Sequence, residues 1–422
     1  MRYSERKREE LIRERDALLE QYEAYRSEGL KLDLSRGKPA ADQLDLSMDL
    51  LNTPLTPAGC VADGFDCRNY GCPWGLPSVR RFFGELLGVP AEQVIVGGNS
   101  SLALMYGTIS RGMLFGLANS PAPWSTEPDR KWLCPAPGYD RHFAITEKMG
   151  FELIPVDMTA EGPDMDQVER LALDPTVKGM WCVPKYSNPT GVTYSDATCR
   201  RLAKMKTGAP DLTGMWDNAY AVHDLADRGD ELANIFALAK EAGNEDRFIA
   251  FTSTSKITFP GAGVSAMAAS PANLDAAKKY LAVETIGYDK LNQLRHLKYL
   301  KNAEGVKTQM ARHRALLEGK FRILEETLAR DLDGLGIAEW THPKGGYFVS
   351  LDLPDGCAKR TYELAKEVGV TLTPAGATFP YGRDPRDRNL RLAPTCSTTA
   401  ELGIAASILT VAVRLAAIEK LL

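Results

Sequence analysis

At 422 residues the chain is too long for one ordinary core, and its 44% hydrophobic and 25% charged residues are those of a folded soluble protein, not a disordered or membrane one. A net charge of -4 provides no basic field for nucleic acid, which leaves small molecules as the expected partners. The eight cysteines, at 60, 67, 72, 134, 182, 199, 357 and 396, form no Cys-x-x-Cys pair and no zinc spacing, so reduced thiols, no metal and a cytoplasmic address are expected.

The charged start, Met1-Arg2-Tyr3-Ser4-Glu5-Arg6-Lys7-Arg8, lacks the apolar stretch of a secretory signal. From Glu5 to Tyr25, Leu11, Leu18, Leu19, Tyr22 and Tyr25 recur at helical spacing and predict an amphipathic arm. Leu32 to Leu46 contains Ser35-Arg36-Gly37-Lys38-Pro39, whose Gly and Pro predict irregular backbone that a helix does not tolerate. From about residue 75 to 270, apolar runs (Val94–Val96, Lys131–Cys134, Glu152–Val156, Met180–Val183, Gly214–Trp216, Phe248–Phe251) alternate with helical stretches, which predicts a mostly parallel α/β sheet covered on both faces. Ala118 to Arg130, with Pro121, Pro123 and Pro128, reads as a long exposed loop. Tyr288 to Leu328 reads as a charged helical bridge to a second, smaller α/β unit with strands in Gly346–Leu351, Gly369–Leu372 and Asn389–Leu392. Near the end, Thr398 and Glu401 form a capping-box pattern. The apolar run from Ile404 to Val413 meets Arg414 well short of the roughly 20 residues a membrane span requires, so it predicts a packed helix. The expected division is an arm over 1–45, a large domain over 46–300 and a small domain over 301–422.

In such sheets ligands bind beyond the carboxyl ends of the strands, where most of the informative motifs fall. Lys256, in Ser253-Thr254-Ser255-Lys256, follows the run Phe248–Phe251; a lysine there can lose its proton and form an imine with an aldehyde cofactor. Asp217 follows Gly214-Met215-Trp216, and a carboxylate shielded from water pairs with a positively charged ring nitrogen. Gly97-Gly98-Asn99-Ser100-Ser101 comes after a strand and opens a helix, so free N–H groups and the helix dipole suit a phosphate. In Asn188-Pro189-Thr190-Gly191, Pro and Gly fix a turn. Arg391, in Leu390-Arg391-Leu392-Ala393-Pro394, offers a planar fork for a carboxylate.

Read together and in order over about residues 30 to 400, these motifs resemble the fold-type I pyridoxal 5'-phosphate enzymes, specifically the class I aminotransferases related to aspartate aminotransferase. Ser35-Arg36-Gly37-Lys38-Pro39 with Asp66-Cys67-Arg68-Asn69-Tyr70-Gly71 is similar to a divergent bacterial branch of that family. The resemblance implies a large domain with a mostly parallel seven-stranded sheet, a smaller α/β domain and a homodimer with shared active sites. Lys256 is then anchor and base, Asp217 the partner of the pyridine nitrogen, and Tyr220 and Asn188 the donors to the phenolic oxygen. Tyr139 stacks on the ring; Asn99, Ser100, Ser101, Ser253 and Ser255 hold the phosphate, with Tyr70 reaching in from the neighbouring subunit. Arg391, with Asn188 and Gly37, binds the substrate. Relatives place an arginine on the phosphate where this chain has Gly261-Ala262-Gly263-Val264-Ser265.

The implied reaction moves an amino group from an amino acid to a 2-oxo acid in a ping-pong cycle, with aspartate and 2-oxoglutarate as the favoured pair. A second substrate carboxylate needs a further cation, and Arg36, Arg68, Lys290 and Arg295 are candidates. The alternatives are a lyase or an aminotransferase of other substrate range, since fold and cofactor leave the outcome at the α carbon open. A ligand-sensing regulator on the same fold is a third reading, disfavoured because only one amphipathic helix precedes residue 35.

Overall fold

The computed structural model describes residues 1–422. Its centre is an eight-stranded sheet of β1 (Val94–Val96), β2 (Lys131–Ala136), β3 (Glu152–Thr159), β4 (Gly162–Pro163), β5 (Val177–Cys182), β6 (Thr213–Asp217), β7 (Phe248–Ser253) and β8 (Ser265–Ala269). The spatial order is β1-β8-β7-β6-β5-β2-β3-β4. Strands β3, β2, β5, β6 and β7 pair in parallel, whereas β8 runs antiparallel to both its neighbours. Side chains of β1, β5, β6 and β8 are buried along their whole length, as expected of a sheet covered on both faces.

The expected count of seven strands becomes eight because β3 turns back at Ala160-Glu161 and Gly162–Pro163 adds an antiparallel edge. Two residues give no periodic signal. Strand β8 also escapes the sequence pattern: Ser-Ala-Met-Ala-Ala has none of the β-branched residues that mark a strand, and only its buried place between β1 and β7 makes it one.

The helices that bear on the site are α1 (Arg8–Ser27), α2 (Ser101–Phe115), α3 (Asp140–Lys148), α4 (Pro271–Glu284), α5 (Lys290–Leu300), α6 (Ala303–Leu332) and α7 (Thr399–Leu421). The charged bridge is thus two helices, broken where Lys301 takes φ +65° and Asn302 caps α6 by accepting from Gly305 N. A three-stranded antiparallel sheet (Glu339–Trp340, Val349–Asp352, Asn389–Leu392) and α7 share one core with the N-terminal arm, through Tyr3 and, in α1, Leu11, Leu18 and Tyr22. Burying a leucine such as Leu18 contributes about 1.5–3 kcal/mol, enough to hold the arm down.

Three local expectations need correction. The segment after Pro39 forms a short helix, Ala41–Asp45, because Pro39 lies before it and not inside it. The proline-rich stretch 118–130 is not simply exposed: Trp124 is fully buried, edge-on to Trp132 and Phe151, and donates from Nε1 to Asp211 Oδ2 at 2.7 Å. Prolines mark irregular backbone there, which is a different property from exposure. Finally, the packed helix expected from the apolar run is found, but it continues past Arg414. The helix begins at the Thr398 cap box and is long and apolar enough to cross a membrane, but most of it is buried in the core, and Arg414 reaches sideways to Glu14 at 2.6 Å and to Tyr3 Oη at 3.0 Å.

Candidate active site

Parallel pairing sets Asp217, the last residue of β6, beside Phe251 of β7, so the turn after β7 opens over the same sheet edge. In that turn Ile257 N and Thr258 N both donate to Thr254 O, and Thr254 N donates to Val264 O, which fixes the backbone on either side of Lys256. Above this edge lies a cavity of about 730 Å³. Lys256, Asp217, Tyr220, Asn188 and Tyr139 line it, as do Ser100, Ser101, Ser253, Ser255, Gly37 and Arg391. Two residues expected at the site do not line it. Asn99 turns its side-chain amide to Gly261 O at 3.5 Å, with its backbone carbonyl accepting from Ser255 Oγ at 3.1 Å, and Tyr70 is 79% exposed on the surface.

The charges are arranged around one carboxylate. Asp217 is buried; His142 Nε2 donates to its Oδ2 at 3.0 Å, while Oδ1 is buried with no partner. An orphaned carboxylate oxygen facing a cavity fits a cationic ring N–H, because leaving it unpaired costs about 1–3 kcal/mol or more. His142 is itself held by stacking on Trp181, with ring centroids 4.3 Å apart. Burial lowers the Lys256 amine pKa from its usual value, with Asp217 pulling the other way, and Nζ lies 4.9 Å over the Tyr220 ring. Burial raises the Tyr220 hydroxyl far above its usual value, and burial with the Asp217 charge pushes Tyr139 up to about 12.

Behind the lysine stand three buried histidines, none of which the sequence pattern singles out. His223 Nε2 donates to Lys256 O at 3.3 Å, His313 Nε2 to Ile257 O at 3.0 Å, and His296 Nε2 lies 2.8 Å from Thr258 Oγ1. Burial drives the pKa of all three below the usual histidine value.

At the other end, α2 points its N-terminus at the cavity, with Ser100 as cap accepting from Ala103 N at 3.3 Å. Ser253 Oγ and Ser255 Oγ are 3.1 Å apart. This cluster suits an anion by helix dipole and hydroxyl donors. No arginine stands in the 261–265 stretch, and Gly263 has little room for a side chain: a Cβ there would lie 3.1 Å from Ser255 Oγ and 3.2 Å from Phe259 O.

Arg391 is buried in the small sheet, its guanidinium 5.0 Å over the Phe348 ring. It donates to Thr373 Oγ1, Asn188 Oδ1 and Asp140 Oδ1. Among the four candidate cations for a second carboxylate, only Arg36 lines the cavity; Arg68 is tied to Asp66 at 2.6 Å on the surface, and Lys290 and Arg295 lie elsewhere. Arg141 lines it too. The sequence signal for His142 is its place one helical turn after Tyr139; Thr373 and Phe348 have none, since only the tertiary fold brings them to Arg391.

The aspartate amino-transferase family profile matches residues 6–422. An aspartate aminotransferase of Corynebacterium glutamicum is 49% identical over 398 residues, covering 94% of this chain and 92% of that protein. The crystal structure of an aspartate transaminase from Corynebacterium glutamicum superposes with a TM-score of 0.97 at 46% identity, covering 100% of this chain and 99% of that one. An α-aminoadipate aminotransferase from Thermus thermophilus, complexed with N-(5'-phosphopyridoxyl)-L-leucine, shares the fold with a TM-score of 0.75 at 24% identity, covering 93% of this chain and 94% of that one. Aminotransferases of this fold use pyridoxal 5'-phosphate. On this match over nearly its whole length, the chain belongs to the aspartate aminotransferase family, with the fold-type I architecture.

Proposed function

We propose that the protein is a pyridoxal 5'-phosphate aminotransferase that exchanges an amino group between aspartate and 2-oxoglutarate. The observation that carries this reading is the meeting in one cavity of an amine, Lys256, an orphaned carboxylate oxygen on Asp217, and a guanidinium, Arg391. The cofactor, when bound, supplies an aldehyde and an electron-withdrawing ring. Lys256 would hold it covalently, Asp217 and its donor His142 would keep the ring nitrogen protonated, and Asn188 and Tyr220 would hydrogen-bond its phenolic oxygen. Tyr139 would cover the ring face. Ser100, Ser101, Ser253, Ser255 and the dipole of α2 would hold the phosphate, joined by Tyr70 of a second subunit.

The protein groups then act on the substrate. Arg391 grips the substrate α-carboxylate and Asn188 steadies that guanidinium. Lys256, its amine more readily neutral because burial disfavours the charge, takes the proton from the substrate α carbon and returns it on the other side of the transfer. Arg36 and Arg141 line the cavity, form no ion pair, and so are available to a second carboxylate, which supports a dicarboxylic substrate.

The division into an arm over 1–45, a large domain over 46–300 and a small domain over 301–422 follows the same reading. A homodimer is supported by exposed apolar side chains on and beyond α2 and α4, Tyr106, Leu114, Phe115, Val283 and Ile286, a patch of the kind that marks an interface. A cytoplasmic location is supported by eight cysteines that are all free thiols.

Incubating the purified holoprotein with a panel of amino acids and following the bound chromophore tests the substrate. Aspartate and glutamate alone should bleach it, and Lys256→Ala should abolish the response. Release of ammonia and pyruvate without an added oxo acid would instead point to a lyase.

A further inference from the structure

The guanidinium assigned to the substrate is already engaged. Guanidinium has five N–H donors. Arg391 spends four of them: Nε and Nη2 donate to Thr373 Oγ1 at 3.3 and 3.1 Å, and Nη1 donates to Asp140 Oδ1 at 2.8 Å and to Asn188 Oδ1 at 3.3 Å. One N–H, on Nη2, is left. A two-point grip on a carboxylate needs two parallel N–H groups, so an incoming carboxylate must displace a partner.

The partners differ in how easily they leave. Thr373 and Asn188 are neutral and buried within the wall. Asp140 is charged, its side chain is 34% exposed, and Arg391 is the only group that side chain bonds. As the first residue of α3, its carboxylate is favoured by the helix dipole even when turned to water. Its presence also explains how a buried guanidinium is tolerated in the free enzyme, since an unpaired buried charge is strongly unfavourable.

We propose that Asp140 is an internal competitor for Arg391: its carboxylate occupies the guanidinium until a substrate carboxylate replaces it, and this exchange sets how tightly substrate binds. The exchange leaves the net charge at Arg391 unchanged. Arg141 and Arg36, which line the same cavity as Asp140 without ion pairs, are available to the released carboxylate and to any second carboxylate of the substrate. The inference rests on Arg391 being the α-carboxylate anchor, and its test separates the two.

The experiment titrates the holoenzyme with succinate, which has carboxylates but no amino group to react, and follows the bound chromophore for wild type, Asp140→Asn, Thr373→Ala and Arg391→Gln. Asp140→Asn should bind succinate about tenfold more tightly, the worth of one charge-assisted hydrogen bond no longer competing, and KM for aspartate should fall in parallel. Thr373→Ala, which loses a neutral support, should bind more weakly. Unchanged or weaker binding by Asp140→Asn overturns the competitor role. If Arg391→Gln binds succinate as wild type does, the anchor itself is wrong; if it loses binding while Asp140→Asn shows no gain, only the competitor role falls. Should Asp140→Asn fail to fold, Asp140→Ser takes its place, and failure of both shows a structural residue and overturns the proposal.

Discussion

His142 Nε2 donates to Asp217 Oδ2 at 3.0 Å, while the other oxygen of the same carboxylate is buried with no hydrogen-bond partner. This pairing satisfies one side of a buried carboxylate and leaves the other without a partner. Replacing His142 with Asn removes a hydrogen bond to a charged group, which should speed cofactor loss and lower kcat/KM by about 10- to 100-fold. Asp217→Asn, which keeps an acceptor oxygen but removes the negative charge that would hold a ring nitrogen protonated, should lower kcat by at least about 100-fold. Stopped-flow release of the chromophore and steady-state kinetics check both; a His142→Asn enzyme with unchanged cofactor retention would contradict the assignment.

Gly37 lies against the ring that carries the anchor. A Cβ at this position would fall 2.2 Å from Phe348 Cζ, and Phe348 lies under the Arg391 guanidinium. Gly37→Ala should therefore raise KM for amino acids about tenfold by pushing that ring and with it the fork, with a smaller effect on thermal stability. Comparison of KM with Tm distinguishes a displaced anchor from a damaged fold.

Two arginines that form no ion pair, Arg36 and Arg141, line the cavity. Arg141→Met or Arg36→Met should reduce kcat/KM for aspartate about tenfold or more while leaving alanine nearly unaffected, because only the former has a second carboxylate to lose. Equal losses for both amino acids would show that neither arginine reads the side chain.

Acid should loosen the protein through the histidines behind Lys256. His223, His296 and His313 have folded pKa values depressed below the ordinary 6.5 by burial. The unfolded chain therefore binds protons first, and the stability they confer is complete above 6.5 and is lost as pH falls from there through the depressed folded values. The Tm of the holoprotein should fall as pH is lowered from about 6.5, and His313→Gln should flatten that slope. An equally steep slope in the variant would contradict this source.

Much of the sheet was legible because β5, β6 and β7 each contain a short apolar run, at Met180–Cys182, Gly214–Trp216 and Phe248–Phe251, and the cluster at their carboxyl ends was legible because Asp217 and Lys256 each follow such a run. Strand β8 was not, since its alanines carry a helical preference that burial between two strands overrides. Asp140, Thr373 and Phe348 were invisible for another reason: their roles exist only where Arg391, 251 residues after Asp140, folds back onto α3. Trp124 shows the same limit in reverse, a proline-rich stretch closing over the core and not hanging away from it.

The central claim is a covalent link between Lys256 and an aldehyde cofactor. Reducing the holoenzyme with borohydride, digesting it and mapping the modified peptide by mass spectrometry tests it most directly. The account predicts a single phosphopyridoxyl group on Lys256, in the peptide that contains Ser253-Thr254-Ser255; a label on another lysine, or none, would contradict it.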